Sequence, residues 1–85
     1  MRILLIHRQS DGRYWYKMEN DNRAEAWQFG GDSVQSAEQQ AYDRCFIGIG
    51  DCVRNLETGD QWQVRSTIGG QIVQSTKVYF GRWEQ

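Results

Sequence analysis

Eighty-five residues with a net charge of −1 make one domain with a lean core, and the near-neutral balance excludes both a strongly basic nucleic-acid binder and a strongly acidic mimic of DNA. Residues 1–85 contain no proline, low-complexity segment, repeat or linker, so a second domain is not expected. Four tryptophans, four tyrosines and three phenylalanines must supply much of the burial.

The chain opens on an apolar run of four residues, Ile3 to Ile6, too short for a signal peptide or a membrane span; a cytoplasmic protein with no membrane contact is expected. Residues 3–7 predict a first strand, and apolar side chains on both of its faces place it centrally in a sheet. Ser10, Asp11, Gly12 and Arg13 form a turn. Residues 14–19 return as an aromatic second strand, with either Tyr14 and Tyr16 or Trp15 as its buried set, and Asn20, Asp21 and Asn22 break it. Residues 24–29, where Trp27 and Phe29 alternate with polar neighbours, read as a third short strand or an irregular connection, and Gly30 and Gly31 hand the chain on.

Residues 32–46 predict the one helix. Val34, Ala37, Ala41 and Cys45 recur at the three-and-four spacing that stacks on one face, Tyr42 and Phe46 widen the stripe, and Gln35, Glu38, Gln39 and Asp43 fall off it. Alanines in the middle of the stripe suit close approach to a sheet. Ser33 and Ser36 both qualify as N-cap; Ser33 is favoured because it keeps Val34 in the stripe and the helix longer than two turns. Gly48 and Gly50 are expected to close the helix.

Residues 51–57 are strand-like, and Thr58, Gly59 and Asp60 form a tight turn. Residues 61–68 give the cleanest alternation, with Trp62, Val64, Ser66 and Ile68 on one side and Gln61, Gln63, Arg65 and Thr67 on the other. Gly69 and Gly70 turn the chain again, residues 72–80 make the last strand, and residues 81–85 form a tail that Trp83 can pin down. The expected fold is α+β, a single small domain in which an antiparallel sheet of about five strands carries one amphipathic helix on one face, in the order ββ(β)αβββ.

Catalytic chemistry is not expected. His7 is the single histidine, so no triad forms around it or around either cysteine, and the carboxylates are scattered through turns and helix faces. Cys45 and Cys52 alone fit neither a zinc ligand set nor a disulfide framework, and Cys45 on the helix stripe reads as an inert packed thiol. Gly48 and Gly50 follow the helix instead of opening it, the wrong side for phosphate. The expectation is a non-enzymatic protein with no cofactor and no metal.

A binding surface is expected instead. With the helix on one side of the sheet, strand parity collects Arg13, Trp15 and Lys17, then Gln63 and Arg65, then Lys77 and Tyr79 on the other, with Glu19 as an acidic exception. The candidate binding residues are therefore Arg13, Trp15, Lys17, Arg65, Lys77 and Tyr79. Cations interleaved with rings suit single-stranded nucleic acid or an acidic protein surface. The competing reading buries Trp15 in the core. Eight of the ten basic residues are arginine, a bias that suits recognition and that genome base composition also produces.

Two resemblances follow. Gly50, Asp51, Cys52, Val53 and Arg54, then Thr58 and Gly59, then Trp62, Gln63 and Val64 resemble the strand-turn-strand of small SH3-like barrels, the YodC-like proteins among them, although the preceding helix lies outside that pattern. Two strands, a helix carrying Ser36, Ala37, Ala41, Cys45 and Phe46, and a meander carrying Arg54, Glu57, Thr58 and Trp62 are similar to small phage-encoded anti-CRISPR proteins. That resemblance implies a stoichiometric inhibitor that occupies a nucleic-acid-binding surface of a host complex, and it assigns no binding residue here. Three readings stand: an inhibitor or binding module for a protein or nucleoprotein complex; a weak, salt-sensitive nucleic-acid binder; and an accessory protein that self-associates, as a homodimer for example, to cover an aromatic face.

Overall fold

The computed structural model describes residues 1–82, without the side chain of Arg82. Its elements run β1 (Ile3–Arg8), β2 (Tyr14–Met18), β3 (Gln28–Gly31), α1 (Val34–Asp43), β4 (Cys52–Asn55), β5 (Asp60–Val64), a single 3-10 turn (Gln74–Thr76) and β6 (Lys77–Arg82). The fold is α+β, one helix on a mostly antiparallel sheet of six strands. Strand order is β3-β2-β1-β4-β5-β6; β1 and β4 are parallel, and every other neighbouring pair is antiparallel. The parallel pair follows from the connection. Strands β1, β2 and β3 form an up-down-up meander, and α1 then carries the chain back to the end from which β1 sets out, so β4 starts beside β1 and runs with it. Among the described residues no helix is long and apolar enough to cross a membrane.

The core lies between α1 and the sheet. Leu4 and Ile6 of β1, Tyr16 of β2, Val53 of β4, and Trp62 and Val64 of β5 meet Ala37 and Ala41 of the helix, with Ile47 and Ile72 filling in from loops. The small stripe has its partner in Gly30 of β3, where an added Cβ would stand 2.5 Å from the Ala37 Cβ. Alanine facing glycine brings helix and strand together at a separation larger residues would prevent. Ser33 is the N-cap, its Oγ accepting from the Ser36 amide at 3.0 Å.

Several expectations change. The helix ends at Asp43, before the glycines expected to close it: Arg44 caps it, and Cys45 takes the left-handed conformation, φ 64°. Cys45 is therefore exposed, and Cys52 is the buried thiol. Glu38, expected off the stripe, is fully buried. The fifth strand stops at Val64, and Ile68, placed on the buried side by alternation, is exposed at a small bridge with Gln71. Residues 24–27 are irregular, and β3 begins only at Gln28 and runs on through Gly30 and Gly31, which were expected to lead out to the helix. The role expected for Trp83 lies outside the described residues.

Candidate functional site

The helix covers one face of the sheet and leaves the other open. Cross-strand register sets the rows on the open face: Phe29, Trp15 and His7 across β3, β2 and β1; then Lys17, Leu5, Arg54 and Gln61; then Ile3, Cys52, Gln63 and Val78. Tyr16, one position from Trp15, is the buried ring of β2.

The first row is aromatic. Trp15 and Phe29 meet edge to face, with centroids 5.4 Å apart at 81°. Trp27, brought over β1 by the irregular segment before β3, lies 6.1 Å from His7. Trp15 and Trp27 wall a shallow recess of about 290 Å3 with Gln9, Ser10 and Asp11. The Trp15 indole N–H donates to Asp11 Oδ2 at 3.3 Å, and the other Asp11 oxygen accepts from the Arg13 amide at 2.8 Å, so the β1–β2 turn fixes the indole.

The cations around the row are already engaged. The Arg13 guanidinium lies 6.0 Å from the Phe29 centroid and pairs with Asp32 at 3.1 Å. Lys17 Nζ sits 5.7 Å from the Trp27 centroid and donates to the Asp21 carbonyl at 2.8 Å. The turn that offers that carbonyl is held by Arg23, whose hydrogen bonds lower the Asp21 carboxyl to about 2. Arg54 pairs with Glu19 at 2.8 Å and donates from Nε to Gln61 at 3.1 Å. Arg13 and Arg54 are matched by carboxylates and Lys17 is tied to a carbonyl, so the face presents rings and apolar edges between engaged cations.

Of the six residues read from the sequence, Arg13, Trp15 and Lys17 come together on this face. Arg65 is exposed beyond the end of β5, its amide bonded to the Thr76 carbonyl. Lys77 and Tyr79 belong to the opposite side, which corrects their expected place. Lys77 pairs in register with Val64 and Tyr79 with Trp62, both helix-facing residues. The 3-10 turn at Gln74–Thr76 breaks the strand expected over residues 72–80, so parity carried through that stretch assigns the wrong face. Lys77 instead reaches under the helix to Glu38 Oε1 at 2.9 Å, its Nζ 4.9 Å from the Trp62 centroid, and Tyr79 lies 5.2 Å from Trp62.

His7, Trp27, Phe29, Leu5 and Arg54 were absent from the sequence-level site. Alternation within β1 carried the signal for Leu5 and His7; nothing local marked Arg54, whose partner Glu19 lies 35 positions away. Among the described residues no group of three His, Cys, Asp or Glu side chains is arranged to hold a metal. Compared with family models, with curated proteins and with solved structures, the chain matches none.

Proposed function

We propose that this chain is a non-enzymatic binding protein that docks its open sheet face on a protein surface, in the manner of a stoichiometric inhibitor of a host protein or nucleoprotein complex. The observation that carries this reading is the row Phe29–Trp15–His7 with Trp27 beside it, an aromatic strip of an exposed Phe29 and half-buried Trp15, His7 and Trp27 that the Asp11 and Arg13 contacts hold in place. Rigid rings with a polar handle are the residues that anchor protein interfaces. Protein is favoured over single-stranded nucleic acid because Arg13 and Arg54 are paired with Asp32 and Glu19, which leaves Lys17, tied to the Asp21 carbonyl, as the cation of this group without a carboxylate partner for phosphates to meet.

Affinity capture with the intact chain, set beside the Trp15→Ala and Phe29→Lys variants, tests the reading. A protein partner retained by the parent and weakened by at least about tenfold in each variant supports it, since truncated aromatic anchors act on that scale. A partner bound equally by both variants removes this face. Tight binding of single-stranded oligonucleotide that fades with salt would transfer the face to nucleic acid.

A further inference from the structure

The two edges of the sheet are not alike. Strand β3 is blunted: it has four residues, ends on Gly30 and Gly31 with Gly31 at φ 103°, and lies under α1, where Ser36 Oγ donates to the Gly30 carbonyl at 2.8 Å. Strand β6 has six residues, and β5 pairs with one side of it only. Among the described residues nothing bonds to its outer backbone edge. Val78, Tyr79 and Phe80 in its middle are 43%, 44% and 56% exposed. Proteins guard edges with charge, brevity, proline or a bulge. Here the centre of the strand carries no charge or proline, and the one bulge, with Gly81 at φ 85°, leaves the Phe80 ring exposed instead of hiding it.

We propose that β6 is the docking edge for a second copy of this chain, paired antiparallel about a two-fold axis centred on Tyr79. A second copy fits because the edge is self-complementary. That register sets Val78 of each copy against Phe80 of the other and the two Tyr79 rings against each other, and it brings no pair of like charges into opposition, since Lys77 meets Gly81. Cross-strand pairs of rings and β-branched residues are the units that stabilise such a ladder. Because antiparallel pairing within one sheet places the axis perpendicular to it, both helices fall on one side and both open faces on the other. Two aromatic strips then present in the same direction, at opposite ends of a twelve-stranded sheet.

Sedimentation equilibrium across a micromolar to near-millimolar series tests this, together with amide exchange of β6. The expected result is a particle of twice the 10.0 kDa chain mass at the upper end, with the outward amides of β6 gaining protection as concentration rises. Val78→Lys and Phe80→Lys, both at exposed positions, should each weaken the dimer at least about tenfold with unchanged circular dichroism, because each replaces both apolar Val78–Phe80 pairs across the axis with a pair that must desolvate an ammonium group. Phe29→Lys on the far edge should leave it intact. A monomer at every concentration overturns the proposal. So does a dimer that survives both β6 variants, or one that Phe29→Lys breaks, which would place the contact on the open face.

Discussion

The indole N–H of Trp62 on β5 donates to Glu38 Oε2 on α1 at 2.5 Å, joining sheet to helix through a carboxylate with no solvent exposure. The other oxygen accepts from Lys77 of β6, whose side chain is 8% exposed, so both oxygens are used and the charge is matched. Removing one member of such a pair strands the other, which is far worse than replacing both. Lys77→Met should therefore destabilise the fold by about 3 kcal/mol in urea unfolding. Adding Glu38→Gln to that variant should restore a large part of the loss, since a neutral amide still accepts from Trp62. A single variant within about 0.5 kcal/mol of the parent would show that the pair is not holding the helix down.

Asp51 gives the fold an acid limit. Burial by itself would raise its carboxyl, but the Arg2 and Gly48 amides and the Arg2 guanidinium outweigh burial and hold it below the ordinary 3.8. A carboxyl lowered in the folded state contributes fully above its unfolded value, and that contribution is lost as pH falls through the folded one. Melting temperature should begin to drop below about pH 4. Asp51→Asn should flatten that decline and lower the neutral-pH midpoint, because its amide cannot accept from Gly48 and Arg2 at once.

Gly30 and Ala37 set the helix-to-sheet distance. A methyl group on Gly30 would stand 2.5 Å from Ala37 Cβ and 2.9 Å from its Cα, and backbone cannot yield as a flexible side chain can. Gly30→Ala should lose about 1–3 kcal/mol by the same unfolding measurement, the range typical of an overfilled core. Ala37→Ser, one atom larger on the opposite side of the same contact, should lose stability in the same direction.

The thiols should separate by rate. Cys45 is exposed, whereas Cys52 is enclosed, with Met1 Sδ 3.2 Å from its sulfur, and burial pushes its pKa up from 9.0. Maleimide followed by mass spectrometry should add one label quickly, at Cys45, and a second only in denaturant. Rapid double labelling of the native protein would contradict the enclosure of Cys52.

What the sequence made legible was local. Apolar side chains on both faces of residues 3–7 placed β1 between two neighbours, where it sits, and the alanines at 37 and 41 marked the stripe that meets the sheet. Features that depend on distant partners were hidden. Glu38 read as a wet residue because the groups that make its burial tolerable, Trp62 and Lys77, are 24 and 39 positions away. The helix was drawn too long because periodicity continues to Cys45, which adopts a left-handed turn that glycine usually takes. Trp15 and Tyr16 are alike in hydropathy, and only the place of the helix separates the buried ring from the displayed one. Lys77 and Tyr79 changed sides because alternation does not survive a helical turn.

The lone parallel seam has a consequence for how the chain assembles. Residues 3–31 make one three-stranded meander and residues 52–82 another, each with local pairings, while the seam between them, braced by Arg2 on Asp51, joins groups 49 positions apart. Until that long loop closes, β1 keeps a naked flank and the core has only half its walls, so folding is expected to wait on that distant encounter more than on the hairpins.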